Sequence, residues 1–399
     1  LIGEETLTDL QFYITGSSGE PSDDNPDTVV RKEETISLLS KLIHKPLARE
    51  ELASEMQKLV PHLLKIGVLK EEEGLLSLGF PCFTENDYQK MNGSLERTAQ
   101  SVVNALREDW SQISEIVNRI GKYSGTPIEE KIYNILGCVI LDWFSLGWLS
   151  EAGLIFYRKE QPNGSKYLLQ GITKEAYQNS FSRFCYSFTA GTEKWRFTVF
   201  GQANDKRWIT PELQVYQSGT IRKHLFAPEP LPAVSASFSQ IANYHMLAQI
   251  SDILAVGNAG RRTVEESFNL NESASGAIER YLIESKIIEL SNDSIWVPRS
   301  MLLTLQDKEA LDELYHLTRS RIIEAVTNEK DNLSKEYEGT TSEMHGVPFV
   351  ETMTDLWHDI FSRTIKTFLD EKLMKTMYTE GQTSYSSFIW KKEVISFEL

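Results

Sequence analysis

Asp355, His358 and Asp359 make the one local run in this sequence that could hold a metal or relay a proton. On a helix, their three- and four-residue spacing places them on one face. A metal site needs a second set of ligands, as paired carboxylate–histidine motifs supply. None stands nearby, so the expectation is surface ion pairing and no metal. The cysteines, Cys82, Cys138 and Cys185, are odd in number and far apart. They give neither a disulfide framework nor a CxxC pair, which fits a reducing cytoplasm. No GxGxxG, P-loop, GxSxG or HExxH string occurs, so no cofactor and no enzymatic activity are expected.

A second constellation lies between residues 180 and 226. Arg183, Lys194, Arg196, Lys206, Arg207, Arg222 and Lys223 outnumber Glu193, Asp205 and Glu212, and Phe184, Trp195 and Trp208 are interleaved with them. Positive charge beside aromatic faces suits phosphate contact with base stacking. The plainer alternative is a half-exposed sheet whose aromatics are core and whose charges are solvated. Against the first reading stands a net charge of -16 over 399 residues, because nucleic-acid affinity comes largely from Lys and Arg neutralising phosphates.

The elements that position these residues follow from periodicity. Hydrophobic residues at 41% and aromatics at 10% are globular values, and the length predicts two or three domains. Residues 1–29 read as a tail whose Gly, Ser, Pro and Asp stretch (Gly16–Asp27) is a linker. In 30–90, Glu33–Leu42, Ala48–Met56 and Pro61–Gly67 read as three helices, and Val68–Lys70 with Leu75–Leu78 as a hairpin. A helical extension and hairpin fill 91–179, opening with a long amphipathic helix over Ser94–Ile120. The segment 180–243 reads as a β-meander ending in the rigid Pro228, Pro230, Pro232 linker.

The same order recurs in 244–305: helices over Tyr244–Val256, Arg262–Phe268 and Ser273–Ser285, then strands Ile287–Leu290 and Ile295–Val297. A second extension occupies 306–399, with a long helix from Lys308. Gly125-Thr126-Pro127 matches Gly346-Val347-Pro348. At that offset Leu136 falls on Trp357, Ile140 on Phe361, Phe144 on Ile365 and Tyr167-Leu168-Leu169 on Phe388-Ile389-Trp390, although Trp143 falls on Thr364. So long a period implies duplication of a whole domain. It also argues against a membrane span at the apolar run Ile132–Leu149, whose counterpart carries His358, Asp359, Arg363 and Lys366. The expected class is mainly α with small β wings (α+β): tandem duplicated winged-helix modules with long helices and an inter-copy β segment.

Arg262–Val297, and more loosely Glu33–Leu78, resemble the broad class of bacterial winged-helix transcription regulators. That resemblance implies a third helix in the DNA major groove and a wing along the backbone. It would place Arg261 and Arg262 on phosphates, Asn271, Ser273 and Ser275 at base edges, and Arg280 on a guanine edge or phosphate. The plainer alternative makes Asn271 or Ser273 a helix cap and Arg280 a solvated charge. The first copy departs from the pattern: its third helix reads as shortened, starting at Pro61, and its wing turn Glu71-Glu72-Glu73 would repel phosphates. The expectation is therefore a cytoplasmic DNA-binding regulator acting as an intramolecular pseudo-dimer. The second copy would read double-stranded DNA, and a small-molecule effector or protein partner would signal elsewhere. The alternative is a winged-helix protein-interaction scaffold without DNA binding.

Overall fold

The computed structural model describes residues 10–16, 18, 22–122, 124–162, 164–181, 185–201, 248–256, 260–268, 272–284, 287–291, 295–380 and 383–395. It is mainly helical with small sheets, an α+β architecture.

The first half opens with strand β1 (Leu10–Gly16), within the residues expected to be a tail. Alternation explains the strand: Leu10 and Phe12 face one apolar cluster while Tyr13 faces another. Asn25 then caps α1 (Pro26–Val30), its carboxamide accepting from the Asp27 and Thr28 amides, and Pro26 opens the first turn. Helix α2 (Glu33–Leu42) falls where the periodicity put it, burying Leu38, Leu39 and Leu42. The expected second helix does not form. Its place is taken by β2 (Leu47–Ala48) and one 3-10 turn, Arg49–Glu51. The third helix, α3 (Ser54–Lys65), starts earlier than expected and runs through Pro61. Proline has no N–H to give the Gln57 carbonyl, which accepts the Arg49 guanidinium at 3.5 Å instead. Strands β3 (Leu69–Glu72) and β4 (Leu75–Leu78) follow, joined by Glu73-Gly74 with φ of 53° and 79°. Two left-handed residues make a tight hairpin turn whose twist matches the strands.

Strand β5 (Cys82–Phe83) leads into α4 (Glu85–Glu108), broken at Asp109 from α5 (Trp110–Arg119), so the expected long helix is two. Helix α6 (Ile128–Glu151) is α-helical at both ends, with a π-helix over Tyr133–Phe144. Strand β6 (Tyr167–Thr173) and α7 (Lys174–Asn179) close this half.

The second half runs β7 (Tyr186–Gly191), β8 (Trp195–Gly201), then helix α8 (248–256), α9 (Arg261–Phe268) and α10 (Glu272–Glu284). Next come β9 (Ile288–Leu290), β10 (Trp296–Pro298), β11 (Met301–Leu303) and the long α11 (Lys308–Tyr337). The chain ends in α12 (Thr341–Met344), α13 (Phe349–Asp370), β12 (Tyr378–Glu380) and β13 (Thr383–Lys391). Helix α3 has 12 residues and α10 has 13, so the third helix of the first half is not shortened. The difference between the halves lies in the second helix.

The halves also pair their strands alike. Strand β4 lies between β2 and β3, while the Ile295 end of the second hairpin bridges Gly260 just before α9. Strand β6 sits between antiparallel β1 and parallel β5, and β13 between antiparallel β8 and parallel β11. Strand β8 thus occupies the position that β1 holds in the first half.

Register between the halves shifts along the chain. The helix-capping Pro127 and Pro348 are 221 positions apart, but the left-handed residues after the same helices, Gly153 and Lys372, are only 219 apart. The first of these spacings is two residues longer, and its helix is the π-wound one, a π turn holding one more residue than an α turn. The 221-residue offset slips by one residue in the last strands. Leu169 and Ile389 pack on their own heads, whereas Trp390 faces the central core.

Three apolar clusters result. One lies under α2, α3 and the first hairpin, one under α8–α10 and the second hairpin, and the largest joins α4, α6, α11 and α13. Trp143, Trp148, Trp357 and Phe361 lie within this central core, each burial stabilising by about 2–3 kcal/mol. The sole helix long and apolar enough to cross a membrane among the described residues, Ile128–Glu151, is 89% buried inside the protein.

Candidate functional site

The second head is built from α9, α10 and the β9–β10 hairpin. Trp296 donates its indole N–H to Glu279 at 2.7 Å, tying the hairpin to α10, and Val264, Ile278, Leu282 and Ile288 fill the space beneath. Here the expected site residues separate. Arg261, its side chain 38% exposed, folds over the start of α10, donating to Ser275 Oγ at 3.2 Å and to the Glu272 carbonyl at 2.5 Å. Gly276 permits this, since a Cβ there would lie 2.6 Å from the guanidinium. Ser275 is fully buried and donates to Glu265 at 2.6 Å, so it cannot present a hydroxyl to a base edge. Both residues link α9 to α10; Ser275 is withdrawn from solvent there, whereas Arg261 keeps 38% of its side chain exposed. Arg262 is 89% exposed beside Glu266 at 3.0 Å, and Arg280 is exposed. Ser273 lies in the first turn of α10, while Asn271 is outside the described residues.

From Arg261 to Glu284 the sequence carries five glutamates to three arginines, a poor match to a phosphate backbone. Ile283, Leu290 and Ile295 are instead 37%, 44% and 37% exposed, the last two flanking the hairpin turn. On the first head, Lys65 and Lys32 of the α2–α3 region pair with Asp24 and Asp23, and His62 bonds the Asp23 carbonyl.

The basic-aromatic constellation divides likewise. Trp195 is fully buried, donating its indole N–H to Asp252 at 3.0 Å, and is core. Lys194 pairs with the same carboxylate at 2.6 Å, and Arg196 donates to the Thr192 carbonyl. Arg183, Lys206, Arg207 and Trp208 lie outside the described residues, as do Phe184, Arg222 and Lys223.

Asp355, His358 and Asp359 are interior groups, contrary to the expected surface pairing, and they face different partners. Asp359 accepts from Arg363 Nε at 2.5 Å and from the Phe181 amide at 2.8 Å. Arg363 also reaches Glu96 and Asn92 on α4 and lies 4.3 Å from the Phe181 ring centroid. His358 Nε2 is 3.8 Å from Asp142 Oδ1, across the α6–α13 contact. Burial raises the Asp142 carboxyl, opposed by His358. Burial, with Asp359 adding to it, pushes Asp355 up to about 7. No group of three potential ligands converges among the described residues. The three thiols are buried, which raises their pKa and makes them poor nucleophiles.

Sequence reasoning did not find the contacts between the halves. Asp87 and Asp307 each cap their own helix start, accepting from the amides of Thr84 (2.7 Å) and Thr304 (2.6 Å). With its second oxygen each reaches across: Asp87 accepts from the Thr341 amide at 3.0 Å, and Asp307 from the Gly121 amide at 2.8 Å. Asp87 and Asp307 are 220 positions apart, as are Gly121 and Thr341, so the exchange is reciprocal. A sequence signal existed in T-x-x-D before both long helices, Thr84 to Asp87 and Thr304 to Asp307. Comparison with protein-family models, curated proteins and solved structures finds no match.

Proposed function

We propose that the chain is a tandem winged-helix protein, two diverged copies forming an intramolecular pseudo-dimer, and that it works as a macromolecule-binding scaffold whose second head docks a protein. The shared order of helices and hairpin, the matching strand pairing and the reciprocal aspartate contacts support the duplication. The observation that carries the choice of partner is that Arg261 is held by buried Ser275 and flanking glutamates, in a head with more glutamate than arginine. Apolar Leu290 and Ile295 at the hairpin turn, beside acidic helices, suit a partner with basic side chains around apolar anchors. The test is selection from a displayed peptide library. Peptides rich in Lys and Arg around Leu, Ile or Phe are expected, weakened at least tenfold by Leu290→Asp/Ile295→Asp. No enrichment, or enrichment indifferent to those changes, would sink the proposal.

DNA reading is the second proposal, favoured by the exposure of Arg262 and Arg280. It requires those two residues to supply what Arg261 and Ser275 do not.

A further inference from the structure

Residues 340–346 form a turn of the second half that docks on the first half through six hydrogen bonds. The Thr341 amide donates to Asp87 at 3.0 Å. Ser342 Oγ donates to the Cys82 carbonyl at 2.8 Å and accepts from its amide at 2.9 Å. Lys70 Nζ on β3 donates to the Gly346 carbonyl at 2.8 Å. His345, only 1% exposed, sits with Nδ1 3.4 Å from the Leu78 amide of β4 and Nε2 3.4 Å from the Ile43 carbonyl after α2. The imidazole thus joins the first head's hairpin and its first helix to a turn of the other half.

The equivalent turn of the first half docks on the second head through backbone and hydroxyl groups. The Gly121 amide donates to Asp307, the Gly125 amide to the Pro298 carbonyl at 2.7 Å, and Thr126 Oγ1 to the Arg299 carbonyl at 2.7 Å. Among these groups only the Asp307 carboxylate is ionisable, and none is an imidazole. Only the turn on the first head carries a group of the histidine class.

We propose that residues 340–346 are an acid-released latch on the first head, with His345 as its pH-sensitive contact. Both hydrogen bonds require the neutral ring, with the proton on Nε2 facing the Ile43 carbonyl and a lone pair on Nδ1 facing the Leu78 N–H. Protonation puts a second N–H at Nδ1, directly against that amide. The bond is lost, and a charge is left buried. The elements packed around it carry Glu33, Glu34 and Lys41 on α2, His44 and Lys45 after it, Lys70, Glu71 and Glu72 on β3, Asp87 on α4 and Glu343 within the turn, and of these Lys70 acts on the ring. Burial lowers the His345 pKa, the Ile43 and Leu42 carbonyls oppose that, and Lys70 adds to it. With the folded value below the free one, the latch is fully stable above the free histidine value of about 6.5 and weakens as pH falls below it. The latch goes beyond the scaffold reading and does not depend on what either head binds.

The test is hydrogen exchange on the intact chain between pH 7.5 and 5, expressed as protection factors. Protection at Leu78 and across the first head should fall about tenfold per pH unit below about 6.5 until the folded ring titrates. The amides of β9 and β10 in the second head should not follow. His345→Gln, whose carboxamide can accept from Leu78 and donate to Ile43 at every pH, should remove the slope. A parent without the slope, or a Gln variant that keeps it, would overturn the latch. Should that variant not fold, the parent suffices: the His345 ring signal must titrate with the same profile as the loss of Leu78 protection. Titration of the ring with Leu78 unaffected would equally overturn it.

Discussion

Arg261 stands at the opening of the helix where a phosphate contact was expected, and its side chain, 38% exposed, folds over the start of the next helix. Residue type and position were legible in the sequence, but orientation was not, because it depends on Gly276 leaving room and on Ser275 and Glu265 supplying partners in the interior. The same holds for Asp355, whose motif was visible while its burial was not. Its raised value has a definite consequence. A carboxyl titrating near 7 when folded and near 3.9 when unfolded binds a proton more tightly in the folded state. It therefore supports folding at low pH, and this stabilisation is lost as pH rises from about 4 to about 7. Asp355→Asn should melt higher than the parent at pH 8, with the gap closing towards pH 5, as followed by thermal unfolding. A gap independent of pH would show that the carboxyl does not titrate in that range.

At the scale of elements, amphipathic runs with clear ends were readable: α2 and the two hairpins fell close to their expected places. Pro61 misled because proline opens many helices, whereas here Arg49 supplies the donor that its ring cannot. The β1 strand was hidden in a segment without long periodicity, and it exists because β6 offers it an edge. The π-helix could not be read from a fixed repeat offset, since it absorbs the very residues that shift the offset. Gly153 and Lys372 end equivalent helices in the left-handed conformation, and both helix ends show the same pattern of backbone bonds, Leu154 to Leu149 and Leu373 to Phe368. Only glycine adopts that conformation without steric cost. Lys372→Gly should thus stabilise the protein by about 1 kcal/mol in chemical denaturation. No gain would mean that Lys372 has side-chain contacts worth as much as the strain.

For the whole molecule, the reciprocal contacts of Asp87 and Asp307 bind each half's crossing turn to the other half's long helix. Beside this shared core the heads have apolar clusters of their own. The proposed repeat rests in the sequence on Gly125-Thr126-Pro127 and Gly346-Val347-Pro348, although which half each turn would contact was not legible there. Charge is the decisive property at this scale, for a net -16 and a glutamate-rich second head oppose binding to a polyanion. The most direct test is selection of genomic DNA fragments by the purified chain at low and at physiological salt, with Arg262→Ala/Arg280→Ala as control. A protein-docking scaffold predicts no enriched sequence at either salt. One sequence enriched by the parent, weakened by salt and lost in the variant would contradict it and make the second head a reader of DNA.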